Sequence, residues 1–188
     1  MHEEPDMPRI STLTPEQMSS EQRRVHDDIM AGPRGRLGGP FQAWLRSPAL
    51  ADRAQKLGEH LRFKSALPPR LSELAILLTA RHWTAQFEWY AHAPMARDAG
   101  LADEVIEAVR QRRRPSFERE DEAVLYDFCV ELYESCRVGE ATYQRAVTHL
   151  SEQGVVDLVG ILGYYALVSM TLNVFETPLP EGVSPPLT

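Results

Sequence analysis

The segment "VVDLVGILGYYALVSMTLNVFE", residues 155 to 176, is the strongest constraint on the fold, because an almost unbroken apolar run must be covered by other parts of the chain. Asp157, Asn173 and Glu176 interrupt it before it reaches the roughly 18 consecutive apolar residues of a membrane span. A central core helix is therefore expected, with no membrane as partner.

Helical periodicity recurs through the rest of the chain. Period-2 alternation of β-branched residues is nearly absent, and no Asn-Gly or Asp-Gly hairpin turn occurs. Residues 19 to 32 form one amphipathic stretch, with Ser19 or Ser20 as N-cap and Gly32 as its end. In 48 to 63, Leu50, Ala54, Leu57 and Leu61 make one stripe. Between these two, "GPRGRLGGPF" (32 to 41) is a loop. After the "LPP" break at 67 to 69, "RLSELAILLTA" is apolar on nearly every side and should be buried. A further helix is predicted from an N-cap near Thr84 through His92 towards Gly100, with Pro94 as a point of kinking. Helices follow at about 102 to 113, 119 to 136, 140 to 152 and 155 to 175. The architecture read from this pattern is all-α, a single-domain bundle of six to eight helices over 19 to 176, between an N-terminal arm (1 to 18) and a C-terminal tail (177 to 188).

Composition narrows the partners. With 188 residues and 43% hydrophobic content, the chain can bury a core as one domain. A net charge of -7 repels phosphate backbones, so nucleic acid is not expected. The basic run "RQRRR" at 110 to 114 ends a periodic stretch and reads as charge complementing a helix C-terminus. The acidic start "MHEEPDMPRI" lacks the form of a secretory signal, and the protein is expected in the cytoplasm. Cys129 and Cys136 lie two helical turns apart, about 10 Å, beyond disulfide reach, and nothing in the sequence has metal-ligand spacing.

The chemistry concentrates in "ELAILLTARHWTAQFEWYAHAPMARDAGL", 73 to 101. Glu88 and His92, four apart, share a helix face, and a carboxylate beside an imidazole prepares a proton shuttle. Glu73 sits among Leu74, Ile76, Leu77 and Leu78, whose desolvation suits a carboxyl for acid or base work. Structural alternatives stand beside each: Glu88 complements the dipole of a first helical turn, His92 is a satisfied core histidine, and Glu73 faces an exposed edge. His82, beside the presumed helix break, is the weaker candidate. Trp83, Phe87, Trp89 and Tyr90 read as core or subunit interface before cofactor box.

Glu73, the apolar helix after it, Glu88, His92 and the closing "ARDAGL" together resemble the carboxymuconolactone decarboxylase family, which shares its fold with the alkylhydroperoxidases. The resemblance is strongest over about 40 to 110, and "GPF", "LPPRLSELAIL" and "ETPLPEG" extend it. In the hydroperoxidase branch a glutamate precedes a Cys-x-x-Cys pair by twelve residues, and a histidine follows the second cysteine by four. Glu73 and His92 match those two positions, while Ala85 and Glu88 occupy the cysteine positions. Thiol peroxidase activity is therefore not implied.

The resemblance implies a carboxy-lyase acting without metal or organic cofactor on a small unsaturated lactone or organic acid, with His92 as proton donor, Glu73 as its orienting partner and Glu88 on the pocket wall. An isomerase or hydrolase on the same fold, or a non-catalytic small-ligand-binding oligomer, is the alternative. Arg81, Trp83 and Phe87 are assigned to substrate binding. Arg34 and Arg36 reach a pocket only if the glycine-rich loop folds over it. The family also implies a homo-oligomer, a trimer or hexamer.

Overall fold

The computed structural model describes residues 9–33 and 35–188. Residues 1–8 of the N-terminal arm and Arg34 lie outside the described residues. The helices are α1 (Ser20–Ala31), α2 (Phe41–Trp44), α3 (Pro48–Phe63), α4 (Pro69–His82), α5 (Gln86–Asp98), α6 (Asp103–Arg110), α7 (Glu120–Ser135) and α8 (Glu140–Val174), with a 3-10 turn at Pro15–Gln17 before them. The described residues hold no strand, and the fold is all-α.

Helix α4 is the axis of the bundle: it packs on α5, α6, α7 and α8, and every residue from Arg70 to Arg81 is buried. That matches its apolar pattern, and it explains why Arg70 needs anions. The Arg70 guanidinium pairs with Asp121 at 2.7 Å and with Glu122, both at the start of α7, so a buried charge ties the two helices together. Helix α8 is long and apolar enough to cross a membrane by length and composition, yet 61% of its most apolar window is buried, as in the core of a soluble protein. Leu158, Ile161, Leu162, Tyr165 and Val168 face inward. Asp157, the acidic interruption in this helix, accepts hydrogen bonds from the Ala66 N–H (2.7 Å) and the Ser65 hydroxyl (3.4 Å), which pins the loop entering α4.

The break expected between the last two helices is present, and two other boundaries differ from the sequence reading. Helical hydrogen bonding runs on from 140 to 174, but Ser151 (φ 68°, ψ 164°) breaks the helix, and its hydroxyl accepts from the Gly154 N–H (3.2 Å) to restart it. Thr84 is not the N-cap of α5: it takes a left-handed turn (φ 49°), and Ala85 caps without a side-chain bond. The loop of 32 to 41 runs directly into α2, which is too short for periodicity to reveal. The two terminal segments also pack, since Leu13, Met18 and Leu187 are buried in the core.

One close approach shapes the neighbourhood of the site. A Cβ added to Gly58 of α3 would stand 2.2 Å from the Tyr164 hydroxyl of α8. Gly58→Ala should therefore push Tyr164 aside and cost about 1–3 kcal/mol by overpacking. Chemical denaturation checks this, and an unchanged unfolding midpoint would show that the contact is not tight.

Candidate active site

The left-handed Thr84 folds α5 back along α4, which sets His92 opposite Glu73 although 19 residues separate them. His92 Nδ1 lies 2.7 Å from Glu73 Oε2, and Nε2 lies 3.0 Å from Glu88 Oε1 one turn earlier on α5. All three side chains are buried, with His92 and Glu88 each 4% exposed. Burial alone pushes the imidazolium down; the Glu88 charge, the hydrogen bonds the ring donates to both glutamates and the Glu73 charge outweigh it and raise the His92 pKa to about 9. At neutral pH the ring is a cation donating one N–H to each carboxylate. Glu88 also occupies the first turn of α5, where the helix dipole favours a negative charge, so its two readings coexist.

A pocket of about 370 Å³ opens beside this triad. Glu88 and His92 line it, whereas Glu73 is not among its lining residues. Phe87, Tyr164 and Tyr165 supply aromatic wall, and Gly38, Gly39 and Pro40 bring the glycine-rich loop against it. Gly39 has φ 58°, a turn that glycine adopts without strain, and its Cα faces the Phe87 ring. Two guanidiniums, Arg36 and Arg62, also line the pocket, and neither forms an ion pair with a carboxylate among the described residues. Arg62 Nη2 instead lies 2.9 Å from the Met95 sulfur. The imidazolium offsets one of the two glutamates, so the two arginines leave the pocket positive.

Tyr165 meets the His92 ring edge-on, with centroids 5.2 Å apart. Burial first, then the Glu88 charge, pushes its phenol pKa well above the usual value, so it stays a hydrogen-bond donor. Sequence reading missed Tyr165 and Arg62. The adjacent polar tips in "GYYAL" within an apolar run were a signal for the tyrosine; for Arg62, at the end of a plain amphipathic helix, there was none.

Phe87 lines the pocket, but Arg81 and Trp83 do not. Eight residues carry Arg81 about 12 Å further along α4 than Glu73. There it lines a separate pocket and donates to Thr188 O at 2.6 Å. Trp83 caps α4, packs edge-on against His82 and accepts from Asn173 through its carbonyl (2.8 Å). Ala85 is buried at the α5 N-cap, and neither cysteine lines the His92 pocket: Cys129 is buried with its thiol pushed up by burial, and Cys136 is exposed at the end of α7. Among the described residues no group of His, Cys, Asp and Glu is arranged to hold a metal ion.

No family model matches the sequence, and no curated protein matches it significantly. Among solved structures the chain is similar to an alkylhydroperoxidase AhpD core, a peroxidase-related protein from Ralstonia eutropha JMP134, with a TM-score of 0.76 and 14% identity over 95% of each chain. The chain has the alkylhydroperoxidase-like helical fold.

The raised His92 pKa has a signed consequence. Because the folded value lies above the ordinary 6.5, the charged ring stabilises the fold fully below pH 6.5, and that contribution is lost as pH rises through about 9. Thermal unfolding of wild type and His92→Gln across this window should show the wild-type advantage shrinking with rising pH. An advantage that stays flat would mean that His92 is neutral in the fold.

Proposed function

We propose that the chain is a cofactor-independent carboxy-lyase acting on a small unsaturated lactone or organic acid. The observation that carries this reading is the buried His92 held between two glutamates on the wall of a pocket whose guanidiniums have no carboxylate partner among the described residues and suit an anionic substrate. In the proposed reaction the substrate carboxylate docks towards Arg62 and Arg36. Its C–CO2 bond breaks, CO2 leaves, and the electron pair moves through a double bond onto a conjugated carbonyl. The Tyr165 O–H donates to that enolate oxygen. The Glu88–His92 pair then delivers a proton to carbon and recovers one from water, while Glu73 orients the ring through Nδ1. Both ring nitrogens already have partners, so the proton passes at the Nε2–Glu88 contact on the pocket side.

That same saturation supports a second reading, a non-catalytic small-ligand-binding protein whose histidine is structural. An assay for CO2 release from a panel of unsaturated lactones and keto acids separates the two. Wild type should turn over at least one member, with His92→Ala slower by roughly 10²–10⁴-fold and Tyr165→Phe also slowed. Glu73→Gln should be slower with its circular dichroism unchanged. No release from any member, with saturable binding of one, would favour the second reading.

We also propose a homo-oligomer, a trimer or hexamer. Val156 (69% exposed), Val159 and Val174 give α8 an apolar outer face, with Leu50 and Leu57 exposed on α3. Sedimentation should return a multiple of 21.3 kDa that falls in Val156→Lys. A wild-type monomer at micromolar concentration would contradict this.

A further inference from the structure

The basic run at 110 to 114 does more than complement a helix end. Arg110 pairs with Glu107 and Arg114 with Asp127, but Arg112 and Arg113 turn to a second pocket, of about 220 Å³, between the end of α4, the turn after α6 and α7. Arg81 and His82 line it with them, and Tyr126, Cys129 and Tyr133 form the α7 wall. His82 stacks on Tyr133 at 4.3 Å.

This pocket concentrates positive charge. Arg81 Nη1 and Arg112 Nη2 both donate to the Thr84 hydroxyl, at 3.3 and 3.2 Å, so two like charges converge on one oxygen. Arg81 is only 7% exposed, and its Nε is buried without a hydrogen-bond partner. No Asp or Glu carboxylate pairs with Arg81, Arg112 or Arg113 among the described residues. Glu134 is the only carboxylate residue lining the pocket, and it is exposed on the α7 side. Arg81 Nη2 is taken up by the Thr188 oxygen at 2.6 Å, which leaves its Nε free, and burial and the Arg112 charge hold Arg81 and His82 below their ordinary pKa values. The size lies below the roughly 300 Å³ at which drug-sized sites begin.

We propose that this second pocket binds a small oxyanion, a carboxylate or a phosphate, between the Arg81, Arg112 and Arg113 guanidiniums. Guanidinium forks match the two oxygens of either group, and the His82–Tyr133 stack leaves a flat apolar side for the rest of a small carboxylic acid. The site is separate from the His92 pocket, and the proposal does not depend on the reaction assigned there.

The test is titration of the full chain with sodium benzoate and, separately, inorganic phosphate in chloride buffer, followed by calorimetry and by the NMR titration of the His82 ring. Saturable binding of either anion should raise the His82 titration midpoint. It should weaken at least tenfold in Arg112→Gln and in Arg113→Gln, and persist in Arg62→Gln. The Arg113 side chain hydrogen-bonds the exposed Gln111, so Arg113→Gln keeps the test open if Arg112→Gln does not fold. Benzoate alone binding assigns an organic acid, and phosphate alone assigns a phosphorylated ligand. No saturation by either anion, or binding lost in Arg62→Gln and kept in the Arg112 and Arg113 variants, overturns the proposal.

Discussion

The His92 imidazolium between Glu73 and Glu88 is the interaction around which the site is arranged. A lone charge inside this core would cost several kcal/mol, and two lone carboxylates would cost more. Together they form a closed set that joins α4 to α5 and presents one face, the Nε2–Glu88 contact, to a pocket. Deleting His92 leaves two buried carboxylates uncompensated, a loss of about 3–5 kcal/mol, whereas deleting either glutamate leaves a charge-matched pair. The proposed proton transfer rests on this placement, a group costly to bury set where a pocket reaches it.

Much of the fold is legible in the sequence because its helices obey local rules. Helix α3 starts at Pro48 in the first turn, but its predicted stripe divides, with Ala54 and Leu61 buried and Leu50 and Leu57 exposed; α1 is fixed by the Ser19–Gln22 capping box and Gly32. Local rules fail where tertiary contacts decide. Thr84 satisfies the residue preference of an N-cap, but the return of α5 along α4 needs a left-handed residue there, and the Thr84 hydroxyl serves two arginines instead. At Ser151 the reading of two successive helices holds, since its hydroxyl accepts from the Gly154 N–H and caps the second of them.

The candidate site is legible in the same uneven way. Glu88 and His92 meet through helix periodicity, which any four-residue spacing reveals. Glu73 meets His92 only because two helices fold together, and the family resemblance pointed to it before the geometry did. Proximity in sequence misplaced Arg81, which lies two turns beyond the pocket, whereas Arg62 from α3 and Tyr165 from α8 arrive through packing that no local pattern encodes. Within the alkylhydroperoxidase-like fold, Glu73, Glu88 and His92 come together in the core, and Ala85 is buried at the start of α5.

The most direct test of this account is the nitrogen NMR spectrum of the His92 ring at neutral pH, assigned by comparison with His92→Gln. Both ring nitrogens should carry protons, giving the imidazolium pattern, with deprotonation only as pH approaches about 9. A neutral tautomer at pH 7, with one bare nitrogen, would contradict the claim that the two glutamates hold a charged proton reservoir beside the pocket.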